Sequence, residues 1–474
     1  MKGAETRMAY SPPQRVIWIT TDHMRYDGVG AYGNAVMRTP NLDQLAAHGV
    51  NFHNCFTQNP VCQPSRASFM TGLYPQQTGV TDNGYCLPDD FEPVVSRLFS
   101  AAGYQTAQIG KLHFQPHEDG DLDSRPRLTY GFDTFYLSEE RGCYESAYMT
   151  WLRLEYPEHV NAFRLPRPTS FKRGEKKGWV VEAPRQASHA GWIVDAAMRH
   201  LRMRGRTRQF LHLGFHDPHP PLNPTHEAFA PYAKAEIPRP RFGKEEWADK
   251  PLPLSRMLQG RRDWSEQDFI EYRRFFYALT TQVDLALGDL FDYLRKNSLW
   301  DDTLIVFSSD HGDMCGDHNL THKGPHFYDE VMHVPQIFHW PAGLGAARRD
   351  VPGLTEMVDV LPTIVELSGG HVPEVVMGRS LARELLAGQV PAGREDVFAF
   401  YQPSLAMLRT EDWKYIRFEN AGTEVLYDLS QEPHEVANRA GDAACADVLT
   451  RMRMQLLSRM LRAGASRLPR KHCW

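Results

Sequence analysis

Val16-Ile17-Trp18-Ile19-Thr20-Thr21-Asp22 is an unbroken apolar run that ends on a carboxylate. Its residues show no polar alternation, the pattern of a strand buried on both faces in a parallel sheet. A second stretch repeats the design: Thr303-Leu304-Ile305-Val306-Phe307 leads into Ser308-Ser309-Asp310-His311-Gly312-Asp313. Open α/β sheets bind ligands beyond the carboxyl ends of their strands. Two such strands in one sheet would bring Asp22, Asp310 and His311 to a single ion. Taken alone, Asp22 reads more readily as a turn or helix-cap residue.

Val61-Cys62-Gln63-Pro64-Ser65-Arg66-Ala67-Ser68-Phe69-Met70-Thr71-Gly72 reads as a turn feeding a helix. Pro64 suits the first helical position, where a missing N–H loses no partner. Gly72 suits the close. Cys62 then stands at a helix N-terminus, where backbone N–H groups and the helix dipole favour negative charge. Arg66, one turn on, can reach back to the same spot. The plainer reading is a buried structural cysteine before a core helix.

The 474 residues suffice for one large domain plus a smaller one. With 42% hydrophobic and 23% charged residues, the chain can bury an ordinary globular core. A net charge of −5 implies no general affinity for polyanions, so an anion must be recognised by a local cluster. Met1 to Arg15 has no apolar core of signal-peptide length, and no apolar run is long enough to span a bilayer. A cytoplasmic protein with no membrane partner is expected. The seven cysteines form no Cys-x-x-Cys pair, which argues against a zinc knuckle or a disulfide framework.

Thr39 to His48 reads as a helix entered through Pro40, and Asn51 to Phe56 as a strand. Thr81-Asp82-Asn83-Gly84 is, by itself, a turn. Tyr104 to Ile109 reads as a strand running into Gly110-Lys111-Leu112-His113. In extended chain Lys111 and His113 share a face, although a solvated lysine and a surface histidine fit as well. Arg141 to Arg185 is aromatic, basic and broken by prolines, and reads as an irregular insertion over the site. Ser188 to Arg202 is helical, and Phe210 to Phe215 is a strand. The prolines of His216-Asp217-Pro218-His219-Pro220-Pro221 fix an extended loop that aims His219. Pro231 to Arg261 reads as a second irregular surface stretch. Phe269 to Asn297 has the pattern of a long amphipathic helix. His322-Lys323-Gly324 falls in a loop before a strand over Val334 to Trp340.

Beyond Leu381 the pattern changes. Val397 to Tyr401, Ala406 to Thr410, Lys414 to Phe418 and Val425 to Leu429 are short strands, followed by a helix near Ala443 to Arg462. The expectation is an α/β catalytic domain over 1–380, with a large, mostly parallel sheet sandwiched by helices. A small subdomain over 381–474 would carry an antiparallel sheet and a packed helix. Arg451 to Lys471 holds seven Lys/Arg and no acid. It lacks the interleaved aromatics of a nucleic-acid arm, so no nucleic-acid partner is expected. A solvated helix face or an arm docking on a neighbouring subunit remain, and a homo-oligomer is expected.

Cys62-Gln63-Pro64-Ser65-Arg66, followed by a short spacer and Thr71-Gly72, resembles the signature of the formylglycine sulfatases. The resemblance extends over nearly the whole chain. It runs from Val16–Asp22 through Asp310-His311-Gly312 to Leu426-Tyr427-Asp428-Leu429 and Glu432-Pro433-His434-Glu435. The chain is similar throughout to type I sulfatases of the alkaline phosphatase superfamily, which implies an alkaline-phosphatase-like fold. It also implies Asp22, Asp310 and His311 as metal ligands, and Cys62 as the formylglycine precursor that also touches the metal. Arg66 and Lys111 would hold the nucleophile and sulfate oxygens. His113 would bond the second hydroxyl of the aldehyde hydrate, and His219 and Lys323 would serve the leaving group. Conversion of Cys62 requires a formylglycine-generating or anaerobic sulfatase-maturing enzyme as partner.

Two departures refine this. Many sulfatases carry two adjacent Asp at the first strand end, where this chain has Thr21-Asp22. Members similar to choline sulfatases and phosphonate monoester hydrolases also lack that Asp, and place an Asn where this chain has Asn83. The resemblance therefore implies Asn83 as a neutral oxygen ligand. Phosphonate-type members tend to lack the Gly-Lys-x-His word, which is present here as Gly110 to His113. That favours a small-molecule sulfate ester as substrate, with a phosphonate monoester or phosphodiester as the alternative.

The implied chemistry is coherent. A sulfate monoester is an anion that resists anionic attack until its oxygens are neutralised. A mainly oxygen ligand set with one His suits Ca²⁺, Mg²⁺ or Mn²⁺, and His311 moves the preference toward Mn²⁺. One hydroxyl of the hydrate would attack sulfur with Asp310 as proton acceptor. His219, assisted by Lys323, would protonate the leaving oxygen, and the second hydroxyl would expel sulfate as the aldehyde reforms.

Overall fold

The computed structural model describes residues 10–115, 128–142, 145–165, 178–205, 207–241, 250 and 264–464. Cys143, Cys473 and parts of both irregular stretches lie outside them. Among the described residues, eight strands form the main sheet: β1 (Arg15–Thr21), β2 (Val50–Phe56), β3 (Gln105–Gly110), β4 (Thr134–Leu137), β5 (Gln209–Gly214), β6 (Thr303–Ser309), β7 (His333–His339) and β8 (Arg349–Glu356). Their order is β4-β3-β5-β1-β6-β7-β2-β8. Only β7 runs against the others, pairing antiparallel with β6 and β2. The sheet is therefore mixed and mostly parallel.

The apolar run of β1 is unbroken because it is central. Val16 and Trp18 point into one packed layer with Phe210, Leu304 and Val306. Ile17 and Ile19 point into the opposite layer with Leu211, Leu213, Ile305 and Phe307. Helices Cys62–Thr71 and Val360–Leu367 cover the first face, and helices Pro40–Ala47, His189–Arg204 and Glu266–Lys296 cover the second. Each such aliphatic side chain stabilises the fold by about 1.5–3 kcal/mol relative to exposure.

Register positions the site. Thr21 pairs with Ser309 across parallel β1 and β6, so Asp22 and Asp310 leave neighbouring strands at the same level. Thr20 pairs with Gly214 of β5, which pairs with Gly110 of β3. A Cβ on Gly214 would lie 1.9 Å from the Lys111 carbonyl oxygen, and one on Gly110, at φ +92°, would lie 2.1 Å from the Gly214 oxygen. Two glycines thus let these strand ends close up and turn Lys111 toward β1.

A separate antiparallel sheet holds β9 (Val397–Tyr401), β10 (Leu405–Arg409), β11 (Trp413–Phe418) and β12 (Thr423–Asp428), ordered β12-β11-β10-β9. Leu449, Met452 and Leu456 of the helix Ala446–Ala463 pack on one face of it. Among the described residues, no helix is long and apolar enough to cross a membrane.

Three expectations need correction. Pro64 is the third residue of the helix Cys62–Thr71, not the first. The change is tolerated because the first several helical N–H groups have no intrahelical partner. The stretch 141–185 is not wholly irregular: Ser146 caps a helix, Ala147–Glu155, whose Tyr148, Met149 and Leu152 are buried. The second stretch is not wholly surface either. Tyr232 and Ile237 are buried, and the ammonium of buried Lys250 donates to the Tyr427 hydroxyl at 3.0 Å.

Candidate active site

The helix Cys62–Thr71 begins at the carboxyl edge of the sheet, and all ten of its residues are buried. Asn59 Oδ1 accepts from the Val61 N–H at 2.8 Å and shapes the turn before it. Ser65 Oγ donates to the Asp310 carbonyl at 2.7 Å, which ties the first helical turn to the end of β6. Gly72, at φ +69°, closes the helix in the left-handed conformation that favours glycine.

Cys62 Sγ, one Asp22 oxygen and one His311 ring nitrogen lie within 4.8 Å of one another. Asp310 adjoins them, with Oδ1 3.8 Å from His311 Nε2. Asn83 reaches in from the other side, its Nδ2 3.5 Å from Cys62 Sγ. Lys111 Nζ pairs with Asp22 Oδ2 at 2.8 Å. Arg66 Nε donates to Asp310 Oδ2 at 2.7 Å, and its other nitrogens reach the Lys111 and Thr21 carbonyls. Lys323 Nζ is 3.0 Å from His219 Nε2. The backbone N–H of His113 donates to Glu139 Oε1 at 2.8 Å. Nine sequence-predicted residues thus gather around one point, and His113 follows two residues after Lys111 in the chain.

The electrostatics follow from burial and neighbours. Burial alone would raise the Cys62 thiol, but the ammonium groups of Lys323 and Lys111 outweigh it and bring the pKa down to about 5. Burial would also raise Asp22, yet Lys111 above all holds it well below the usual carboxylate range. Burial and the nearby Asp22 charge raise Asp310 against the pull of Arg66. Burial and Lys323 together push His219 well down.

A divalent cation fits these donors. Neither Asp22 oxygen receives a well-directed hydrogen bond, although both are buried. His311 Nδ1 donates to the Gly312 carbonyl at 2.8 Å, which leaves the buried Nε2 lone pair facing Asp22. Buried lone pairs aimed at one point, with a second carboxylate alongside, are the donor set of a hard or borderline cation.

Residues 14–370 match the family described as Sulfatase, and residues 316–462 match the C-terminal region of N-sulphoglucosamine sulphohydrolase. The chain belongs to the sulfatase family, within the alkaline phosphatase superfamily. It is 30% identical to the multifunctional alkaline phosphatase superfamily protein PehA of Trinickia caryophylli, over 94% of this chain and 95% of that protein. An arylsulfatase of Clostridium perfringens is 28% identical over 89% of each chain. The solved phosphonate monoester hydrolase of Agrobacterium radiobacter superposes with a TM-score of 0.82 at 28% identity, over 95% of this chain and 96% of that one.

This sulfatase also brings in residues that the sequence reading passed over. His23, next to Asp22, places Nε2 2.7 Å from Lys323 Nζ. Glu140 pairs with His216 Nε2 at 3.0 Å and lies 3.9 Å from Lys111 Nζ. Arg141 pairs with Asp217 at 2.7 Å and donates to the His219 carbonyl at 3.3 Å, anchoring the loop that carries His219. Adjacency to Asp22 was a usable signal for His23. Glu140 and Arg141 sit in sequence with no motif around them.

Proposed function

We propose that this sulfatase hydrolyses sulfate monoesters with a formylglycine made from Cys62 as nucleophile. The observation that carries the reading is the meeting of Cys62 Sγ, Asp22 and His311 within 4.8 Å at a buried helix N-terminus. Lys111 at 2.8 Å from Asp22, and Lys323 beyond it, line the same place with positive charge. Asp22, Asp310, His311 and Asn83 would hold a divalent cation, Ca²⁺, Mn²⁺ or Mg²⁺, with the converted Cys62 side chain beside them. When present, the cation supplies charge neutralisation, and the aldehyde supplies a hydrated nucleophile that a serine could not replace.

The remaining work falls to the chain's own side chains. Lys111 and Lys323 neutralise the non-bridging oxygens of the substrate, where exclusion of water makes their charge count most. Arg66 orients Asp310, the proton acceptor for the attacking hydroxyl. His219 and Lys323 deliver the proton to the leaving oxygen, a contribution of roughly 10²–10⁴-fold. His113, whose backbone N–H donates to Glu139, accepts the last proton as sulfate leaves. Residues 1–380 carry this chemistry, with 381–474 as a supporting subdomain.

A second reading has its own support. Likeness to a phosphonate monoester hydrolase at TM-score 0.82 favours hydrolysis of phosphonate monoesters or phosphodiesters by the same nucleophile. Rates on matched aryl sulfate and aryl phosphonate esters, after coexpression with a converting enzyme, decide between them. The sulfate ester is expected to turn over faster, and Cys62→Ala is expected to abolish turnover while the protein stays folded. Preference for the phosphonate reverses the assignment.

A further inference from the structure

His23 follows Asp22 in the chain but serves a different group. Its φ is +71°, a left-handed turn that few residues other than glycine adopt, and its N–H donates to Asp310 Oδ1 at 3.3 Å. Both ring nitrogens are committed. Nδ1 lies 2.8 Å from Asp313 Oδ2, and Nε2 lies 2.7 Å from Lys323 Nζ. Asp313 is fully buried and accepts from the Tyr272 hydroxyl at 3.1 Å, the Cys315 N–H at 2.8 Å and the His322 N–H at 3.1 Å. A carboxylate held by donors on every side takes the His23 Nδ1–H as one more donor. That fixes the tautomer, so Nε2 offers its lone pair to the lysine.

His219 presents the same face to Lys323. Its Nδ1 donates to the Pro220 carbonyl, so its Nε2 lone pair points at Lys323 Nζ, 3.0 Å away. The two imidazoles meet edge to face with centroids 4.3 Å apart. An ammonium has three N–H donors. Two are spent on His23 and His219, and one remains for a substrate oxygen. His23 Nε2 is 3.8 Å from Asp22 Oδ1 and already takes a hydrogen bond, so it has no lone pair to give a cation.

We propose that His23 is a positioning residue: oriented by Asp313, it aims Lys323 at the leaving-group oxygen. The inference rests on the sulfate-ester reading above. As the hydroxyl made at Cys62 would form its bond to sulfur and give its proton to Asp310, the bond from sulfur to the leaving oxygen would break and its electron pair would go to that oxygen. That oxygen takes a proton from the Lys323–His219 pair, and the pair recovers it from water.

The consequence is selective. A leaving group that is stable as an anion needs little protonation, whereas a poor one depends on it. Wild-type, His23→Ala and His23→Gln proteins, each converted at Cys62, are assayed on 4-nitrophenyl sulfate and phenyl sulfate, with metal affinity and melting temperature measured alongside. Wild-type turnover of both esters comes first, and its absence counts against the sulfate-ester reading, not against the placement of His23. His23→Ala is expected to lose roughly 10²–10³-fold in kcat/KM on phenyl sulfate and less than about tenfold on 4-nitrophenyl sulfate. Metal affinity should hold. His23→Gln, whose amide oxygen can still accept from Lys323, should recover part of the phenyl sulfate rate. Equal losses on the two esters, or losses that track metal affinity, overturn the proposal. If His23→Ala does not fold, His23→Gln alone decides it by whether its loss is larger on phenyl sulfate.

Discussion

Asn83 holds the N-terminus of the Cys62 helix from outside: its Oδ1 accepts from the Gln63 N–H at 3.1 Å while its Nδ2 lies 3.5 Å from Cys62 Sγ. A carbonyl oxygen has two lone pairs, and the second lies 3.7 Å from Cys62 Sγ, so conversion of that thiol would leave it for a cation. Asn83→Ala should weaken divalent-metal binding by about tenfold or more. Calorimetric titration of metal-stripped protein with Mn²⁺ and Ca²⁺ reads this directly. An unchanged titration removes Asn83 from the ligand set.

The antiparallel sheet grips the Asn83 loop. Tyr401 donates to Asp82 Oδ2 at 2.9 Å, Gln402 Nε2 donates to the same oxygen, and the Asn83 N–H donates to Asp82 Oδ1 at 2.7 Å. Tyr401→Phe should therefore lower metal affinity in the same direction as Asn83→Ala, by a smaller factor. The same titration checks it. A full-strength site in Tyr401→Phe would show that the antiparallel sheet does not steady the loop.

Arg66 is wholly buried, and its charge is matched by Asp310 at 2.7 Å. Removing it strands a buried carboxylate. Arg66→Ala should cost about 3–5 kcal/mol in metal-free protein, measured by urea unfolding. Arg66→Lys should restore little, because an ammonium cannot reach Asp310 and two carbonyls from one planar group.

Two imidazoles away from the site set an acid limit. Burial above all lowers His333 and His339, each to about 4. Both stay neutral when folded and gain a proton on unfolding once the pH is below the ordinary value near 6.5. The unfolded state then binds more protons, so stability falls as pH drops from about 6.5 to about 4 and levels off below. Unfolding midpoints measured across that range should show the fall, and His339→Asn should flatten part of it.

Much of this was legible in the sequence because the chemistry sits where local patterns end. Strands β1 and β6 are continuous apolar runs, buried in the centre of the sheet, and each hands over a carboxylate just past its end. The Cys62 word carried its own helix. The edge strands were not legible. β8 contains Pro352 and Gly353, which argue against a strand, yet its edge position leaves one side free of ladder bonds. β4 is four residues long and only half-buried. The helix within 141–185 was hidden by the prolines and basic residues around it. His23, Glu140 and Asp313 acquire their roles through contacts with distant segments, which no local pattern encodes.

The most direct test is the mass of the Cys62 peptide from protein made with a converting enzyme, in a preparation that turns over an aryl sulfate. A formylglycine nucleophile requires an aldehyde in place of the thiol. An intact thiol at Cys62 in protein that still hydrolyses the ester would contradict it.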